Sequence, residues 1–223
     1  MHWKNIPIHI IDFEGSRKSG IVEYGVVTLE KGEILTTQTR LCQPVGAISS
    51  EETSLHGISF ADTHKAAHFN TEWARFSKLR QTGALAAHHA ATENSLLKQV
   101  WPYPTQSPDF LNPGKVIAEW GPWIDTCQIF ATVAPRLESY KLGFLVDQFG
   151  LQPTLDQLAA QHCPSTRRKV HCALYDALAA TLLLQYLGAQ PDFETMSISW
   201  LLTHSATSTE KRQRLKQGDL FEI

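Results

Sequence analysis

The 223-residue chain lacks the features that mark several specialised classes of protein. Its formal net charge is only −2, so no global positive field attracts nucleic acid, and any basic contact with such a partner has to be local. The longest apolar stretch, residues 177–184, falls well short of the roughly 20 residues that span a bilayer. Residues 1–5 have no secretory layout. We therefore expect a cytoplasmic protein without a membrane partner.

Paired cysteines are also missing, because no CxxC occurs. Four cysteines are scattered along the chain: Cys42, Cys127, Cys163 and Cys172. This usage predicts reduced and mostly buried thiols. The alternative is a zinc site made by His162, Cys163, His171 and Cys172, but that spacing fits no usual zinc motif.

What is present is an ordinary globular balance, with 43% apolar and 19% charged residues. Periodicity and turn residues predict strands at residues 6–14, 23–30, 33–42, 84–88 and 123–126, and helices at residues 59–79, 92–100, 141–149, 173–187 and 193–204. Lys31-Gly32 predicts a hairpin turn, hence an antiparallel pair. Residues 101–114 hold four prolines and predict a surface loop without regular structure. The fold class is therefore α/β with a mixed sheet in residues 1–190, followed by a C-terminal helix and charged tail in residues 191–223.

Three short acidic motifs occur in a fixed order: residues 12–14, 88–93 and 171–176. Asp12 and Glu14 are two apart on a predicted strand, so their side chains share one face. Carboxylates at that separation repel one another, and a bound cation relieves the repulsion. The second motif presents Glu93 after another apolar strand. These acids are either a metal site or simply solvated groups at strand ends.

The third motif places Asp176 in a predicted helix and His171 five residues before it. A spacing of five does not put two residues on one face of a helix, so His171 is expected in the approach to the helix, leaning over the site. An imidazole beside metal-bound water can act as a general base. Because the acidic ligands are hard oxygen donors, two Mg²⁺ or Mn²⁺ ions are expected, and Zn²⁺ is not.

Together these motifs resemble the DnaQ-like 3′–5′ exonucleases of the DEDDh group, in the RNase H-like superfamily, which includes the proofreading epsilon subunit. The resemblance covers residues 6–188 and extends to segments 55–58, 123–126 and 140–151. It implies that Asp12, Glu14 and Asp176 hold the metals and that His171 is the general base. Glu93 departs from the family's usual Asp, and the extra methylene moves its carboxylate by about 1.5 Å. We expect Glu93 to be functional nonetheless.

Further residues are expected to bind the substrate. By resemblance they are Gly15, Ser16, His56, Gly57 and Ile58, and by charge they are Arg167 and Arg168. The two arginines either neutralise phosphates or form part of a charged loop. Four aromatic residues near the proline-rich loop either stack on bases or pack in the core: Trp101, Tyr103, Trp120 and Trp123.

The C-terminal residues Gln217, Leu220 and Phe221 are similar to the Gln-x-x-Leu-Phe peptides with which bacterial replication and repair proteins dock on the sliding clamp. Two apolar side chains can fill a pocket while the glutamine fixes the register. The alternative is an amphipathic end that packs on its own domain. The sequence predicts no oligomeric state.

The function expected from the whole sequence is two-metal-ion hydrolysis of phosphodiester bonds from the 3′ end of single-stranded nucleic acid, DNA rather than RNA, releasing nucleoside monophosphates. One alternative is a 3′–5′ exoribonuclease, because nothing in the sequence shows how the 2′-hydroxyl is treated. The other is a binding module in which Glu93 has silenced catalysis.

Overall fold

The structure is a computed structural model that describes residues 1–206. Its strands are β1 (Ile8–Ser16), β2 (Gly20–Glu30), β3 (Glu33–Leu41), β4 (Ala84–Ala87), β5 (Ser107–Pro108), β6 (Val116–Ile117) and β7 (Ile124–Asp125). Its α-helices are α1 (Ser50–His56), α2 (Phe60–Thr63), α3 (Trp73–Thr82), α4 (Ala90–Val100), α5 (Thr126–Val133), α6 (Leu142–Gln148), α7 (Gln152–His162), α8 (Ala173–Gly188) and α9 (Ile198–His204). Single 3₁₀ turns lie at Trp3–Asn5, Phe69–Glu72 and Pro191–Phe193.

The main sheet has five strands in the order β3-β2-β1-β4-β7. Strand β2 pairs antiparallel with both β1 and β3, whereas β4 pairs in parallel with both β1 and β7. The turn between β2 and β3 contains Lys31 at φ 55° and Gly32 at φ 85°, the two positive values that a type I′ hairpin turn requires. The predicted mixed sheet and the predicted hairpin are therefore confirmed.

Alternation along β1 divides the interior into two apolar clusters, one on each face of the sheet. Ile8 and Ile10 belong to the cluster that α8 completes, whereas Ile11 and Phe13 belong to the cluster formed with α3 and α4. Because side chains alternate along a strand, Asp12 lies on the α8 face. The acidic end of β1 therefore continues the apolar face on which α8 packs.

Two predictions about local structure are wrong. The helix expected at residues 59–79 is divided into α2, a 3₁₀ turn and α3, because Gln43 bonds the main chain of Ala67 and the ring of His68 and so holds that connection extended. The loop at residues 101–114 contains β5, which pairs with β6. Buried Arg80 holds this segment through the carbonyls of Pro108, Glu119 and Gly121.

The last described segment packs into the domain. Met196, Ile198, Leu201 and Leu202 are buried in the same cluster as α8, so the chain between residues 191 and 206 is continuous with the core. The predicted helix at residues 193–204 begins later, at Ile198, after a 3₁₀ turn. Among residues 1–206, no helix has the length and apolarity needed to cross a membrane.

Gly25 fixes how closely α8 approaches the sheet. It pairs with Asp12 across the β1–β2 ladder. A Cβ atom at Gly25 would lie 2.3 Å from the carbonyl carbon of Ala173 and 2.3 Å from the nitrogen of Leu174. The first turn of α8 therefore sits directly on the backbone of β2, and this close approach sets the height of Asp176 above the sheet.

We expect Gly25→Ala to lower the free energy of unfolding by about 1–3 kcal/mol, because main-chain atoms of α8 have to move away. Gly143→Ala in α6 is the matched control, since a Cβ atom there meets no atom of residues 1–206 within 4 Å. It should leave stability unchanged or raise it by about 0.5–1 kcal/mol through helix propensity. Urea titration compares the two variants. Equal stabilities would show that α8 does not rest on Gly25.

Candidate active site

The site begins at the end of β1, where Asp12 and Glu14 follow the apolar residues of the same face. A β-bulge between Glu14 and Gly15 shifts the pairing with β2 by one residue. Counted from the turn that joins β1 to β2, this bulge places Glu14 directly opposite Glu23 instead of Val22, and opposite residues of an antiparallel pair share a face. Glu14 is 7% exposed and Glu23 is 2% exposed, so both carboxylates are buried.

Glu93, on α4, reaches the same C-terminal end of β1, and the acids that meet there form the acidic edge. Its Oε2 accepts a hydrogen bond from the main-chain nitrogen of Phe13, between the two acids of β1, at 3.0 Å. Buried Asp125 positions the start of α4, because its carboxylate accepts hydrogen bonds from the main-chain nitrogens of His89 and Ala90. His89, the N-cap of α4, has φ 64°, which turns the chain sharply out of β4. Glu93 therefore belongs to the acidic edge despite its longer side chain.

Asp176 and His171 come from the third motif. Asp176 lies in the first turn of α8, and His171 lies before the helix with φ 61°. Asp176 Oδ2 accepts from the His171 nitrogen at 2.9 Å. One ligand atom each from Glu14, His171 and Asp176 lie within 4.8 Å of one another. The predicted placement of His171 in the approach to the helix is confirmed.

Glu23 is the acidic residue that the sequence reasoning missed. Its carboxylate accepts two hydrogen bonds from Arg167 and one from the nitrogen of Ala173, the last at 2.9 Å. A signal was present, because Glu23 interrupts an otherwise apolar run in β2. The β-bulge that turns it toward Glu14 gives no recognisable sequence pattern.

Crowding gives these acids unusual proton affinities. Burial, followed by the charges of Asp176 and Glu23, raises the pKa of Glu14 to about 8, against an opposing effect of Arg167. Burial raises the pKa of Asp176 to about 7, and the charge of Glu23 adds to this effect. The pKa values of Asp12 and Glu93 are also raised, first by burial and then by neighbouring carboxylates. Ionising all of these acids together is therefore unfavourable unless a positive charge neutralises them.

Several residues expected to bind substrate have structural roles. At Gly15, φ is 125°, and a Cβ atom would lie 2.1 Å from the carbonyl oxygen of Gly20. Ser16 accepts from the nitrogens of Lys18 and Ser19, which closes the hairpin. Both residues therefore shape the turn beside Glu14.

The predicted nucleotide-contacting segment ends α1. Gly57 is the left-handed C-cap of this helix, and Ile58 is 1% exposed. His56 is also buried, and its Nδ1 accepts from the Ile58 nitrogen, which leaves Nε2 as the protonated nitrogen. Nε2 has no hydrogen-bond partner among residues 1–206. Contact between this segment and a nucleotide remains a prediction.

Arg167 and Arg168 are both engaged within the protein. Arg167 donates to Glu23 and to the carbonyl of His56. Arg168 donates to the carbonyls of Cys163 and Ala160, at the end of α7. Arg167 is half-buried by these contacts, whereas Arg168 is exposed, so contact between Arg168 and a phosphate remains a prediction.

Three of the four aromatic residues near the proline-rich loop pack against the core instead of being exposed to solvent. Trp120 is completely buried and contacts the rings of Trp73 and Trp101, and Trp123 is 8% exposed. Tyr103, by contrast, is 69% exposed. Core packing therefore accounts for the tryptophans.

A second cluster of metal-ligating types lies outside the acidic site. His88, His89 and Cys127 bring ligand atoms within 4.8 Å of one another. Both ring nitrogens of His88 are already hydrogen-bonded, Nδ1 to Thr126 and Nε2 to the carbonyl of Tyr140. His88 therefore has a structural role, whereas His89 is exposed. All four cysteines are free and buried, which confirms the prediction of unpaired thiols.

The raised pKa of Glu14 predicts how stability depends on pH in the absence of metal. Its ordinary value is 4.5 and its folded value is about 8, so its contribution to stability is complete below pH 4.5 and is lost as the pH rises through 8. Glu14→Gln removes this loss. At roughly 1.4 kcal/mol per pKa unit, the expected gain in unfolding free energy at pH 9 is about 2–4 kcal/mol.

Thermal unfolding in EDTA at pH 5 and pH 9 measures this difference. Glu14→Gln should unfold at a higher temperature than the wild type at pH 9 and at nearly the same temperature at pH 5. Glu33→Gln, at an exposed position at the start of β3, is the matched control and should follow the wild type at both. A lower unfolding temperature for Glu14→Gln at pH 9 would contradict the proposed repulsion.

No protein-family model and no curated protein matches the sequence. Solved structures do match. Exonuclease X in complex with 5′-overhanging duplex DNA superposes with a TM-score of 0.58 at 17% identity, over 89% of this chain and 99% of that chain. The nuclease domain of 3′hExo, a DEDDh family member bound to rAMP, gives 0.52 at 17% identity, over 81% of this chain and 90% of that chain.

The zinc-bound form of an E. coli exonuclease I complex with single-stranded DNA gives a TM-score of 0.57 at 11% identity. That match covers 84% of this chain and 41% of the longer exonuclease I chain. Identities this low establish the fold alone. They support no particular similarity to the epsilon subunit. The chain therefore has the mixed-sheet, RNase H-like fold of the DEDDh 3′-exonucleases.

Proposed function

We propose that the chain is a metal-dependent 3′–5′ exonuclease that hydrolyses phosphodiester bonds at the 3′ end of single-stranded nucleic acid, with DNA preferred. The observation that carries this proposal is the convergence of Glu14, His171 and Asp176, whose ligand atoms lie within 4.8 Å of one another. Glu93 joins them through its bond to the β1 main chain. Distant parts of the sequence thus meet at one acidic edge.

The donor set fits divalent cations. Asp12, Glu14, Glu93 and Asp176 offer hard carboxylate oxygens, which suit Mg²⁺ or Mn²⁺ better than Zn²⁺. Burial, followed by the charges of neighbouring carboxylates, raises their pKa values, and a bound cation relieves both penalties. We propose two such ions, held by these four side chains. When bound, the ions polarise the phosphate and stabilise the departing 3′ oxygen.

His171 is proposed as the general base. It lies beside the acidic ligands on a loop rather than in the helix, so its ring can face a substrate while Asp176 holds its main-chain nitrogen. The imidazole takes a proton from water, and the resulting hydroxide attacks the terminal phosphate. The bond from phosphorus to the 3′ oxygen of the preceding nucleotide breaks, and that oxygen takes up a proton from the solvent. The products are a nucleoside 5′-monophosphate and a strand shortened by one nucleotide with a 3′-hydroxyl end.

Substrate class is inferred from the similar structures and from the electrostatics. Exonuclease X was solved with overhanging duplex DNA and exonuclease I with single-stranded DNA, whereas 3′hExo was solved with rAMP. The formal net charge of −2 favours weak, salt-sensitive binding to the strand. We propose a sequence-tolerant enzyme in the cytoplasm that acts on DNA ends, and RNA is the comparison substrate in its test.

The direct test compares wild type with Asp12→Ala on 3′-labelled and 5′-labelled single-stranded DNA and RNA, with Mg²⁺, Mn²⁺ or EDTA. Wild type should release labelled mononucleotide first from the 3′-labelled strand and shorten the 5′-labelled strand stepwise. Asp12→Ala and EDTA should each reduce turnover by at least about 10³-fold, since each removes the electrostatic stabilisation of the transition state. Asp147→Ala, an exposed acid on α6, is the matched control and should retain full activity.

His171→Ala in the same assay separates catalysis from binding. It should lose about 10²–10⁴-fold in turnover, because it removes a base and no metal ligand, while oligonucleotide binding stays within twofold. Identical cleavage by wild type and Asp12→Ala would reject the proposed exonuclease activity. Loss of oligonucleotide binding in His171→Ala would assign that residue a different role.

We also propose that the C-terminal peptide docks on a bacterial sliding clamp. Gln217, Leu220 and Phe221 lie outside the described residues, so this proposal is supported by the sequence alone. The basic residues before them would keep the tail near DNA. They are Lys211, Arg212, Arg214 and Lys216.

Deletion of residues 217–223 should abolish binding to a purified bacterial clamp and leave hydrolysis of free oligonucleotides unchanged, because none of the proposed catalytic residues belongs to this peptide. Leu220→Ala/Phe221→Ala is the finer variant, and Lys211→Ala is its control. Surface plasmon resonance on immobilised clamp measures the loss. Equal clamp binding by wild type and deletion variant would reject docking through this peptide.

A further inference from the structure

Glu23 occupies a position where a carboxylate is unfavourable. It stands opposite Glu14 in the β1–β2 ladder, and its side chain is only 3% exposed. Like charges directly opposite in a sheet destabilise it, and burial increases the penalty. A compensating partner is therefore needed at this point of the sheet.

Arg167 is that partner. Its Nε donates to Glu23 Oε1 at 3.0 Å, and its Nη2 donates to Glu23 Oε2, a paired geometry that fits the planar guanidinium. Nη1 donates to the carbonyl of His56 at the end of α1. Nη2 also lies 3.5 Å from the carbonyl oxygen of His171. One side chain thus connects β2, α1 and the loop that carries His171.

The same pair holds the chain on both sides of His171. Arg167 lies four residues before it, and Ala173, whose nitrogen donates to Glu23 Oε2 at 2.9 Å, lies two residues after it. Asp176 adds a third constraint through the His171 nitrogen. A residue at φ 61° needs such support, because a non-glycine residue enters the left-handed region at a cost.

We infer that Glu23 and Arg167 form a positioning pair that holds the His171 loop over the acidic edge. Resting on the proposed function, this assigns Arg167 an action through His171 and not through substrate phosphate. Arg168 provides the contrast within the same loop. Its bonds go to the carbonyls of Cys163 and Ala160, away from Glu23.

The test uses Arg167→Lys, which keeps a positive charge beside Glu23 but cannot reproduce the paired geometry and also reach two carbonyls. Turnover on single-stranded DNA should fall about 10–100-fold, as for other supporting contacts around a metal site, while the Kd for oligonucleotide in Ca²⁺ stays within twofold. Arg136→Lys, at an exposed position between α5 and α6, is the matched control and should keep wild-type turnover.

Combination with His171→Ala distinguishes a positioning role from a direct one. If Arg167 acts through His171, the double variant should be no slower than His171→Ala alone. A further loss in that background, or a weaker Kd, would overturn the inference and make Arg167 a substrate contact. A full-length folded protein is used throughout.

Amide hydrogen exchange provides a readout that does not depend on activity. Arg167→Lys should speed exchange at the amides of His171 and Ala173 at least about tenfold, because their acceptors lose order. The amides of α7 should be unaffected. Unchanged exchange at His171 and Ala173 would overturn the inference. Inactive wild type together with faster exchange would reject the proposed nuclease function and retain the positioning pair.

Discussion

Mutual repulsion among buried carboxylates is the interaction on which the rest of this molecule depends. Five acids meet at the C-terminal end of β1: Asp12, Glu14, Glu23, Glu93 and Asp176. Each ionised acid raises the cost of ionising the next, and burial increases that cost. Arg167 neutralises Glu23 through a paired contact, which leaves the other four to share an excess of negative charge. A divalent cation is the natural complement of that excess, and its binding contributes directly to the stability of the folded state.

The fold brings these acids together by specific local devices. The β-bulge after Glu14 turns Glu23 onto the same face, and Gly25 lets the first turn of α8 rest on the sheet. Asp125 positions the start of α4, so that Glu93 reaches the β1 main chain. Each device costs stability or conformational freedom that a plain α/β core does not need. Sites of this kind commonly store such strain.

Much of the fold and the positions of the three motifs were predictable, because they depend on periodicity and spacing. The hairpin at Lys31-Gly32 and helices α4, α6 and α8 follow from such signals. Helix α1 was missed although Ser49 and Glu52 form a capping box, since its short sequence has no apolar stripe. Glu23 was missed because its place opposite Glu14 depends on the bulge. A regular ladder counted from the turn would place Val22 there. The contacts of Arg167 with Glu23 and His56 depend on tertiary structure, so the sequence alone suggested a phosphate contact for this side chain.

The central claim is that the carboxylates of β1, α4 and α8 jointly bind divalent cations. Anomalous diffraction from crystals of the full chain soaked in Mn²⁺ tests this claim most directly. We expect manganese peaks at direct-bond distance from carboxylate oxygens of Asp12, Glu14 and Asp176, and their loss in crystals of Asp12→Ala. Peaks confined to His88, His89 and Cys127, or crystals without any peak at the acidic edge at saturating Mn²⁺, would contradict the account.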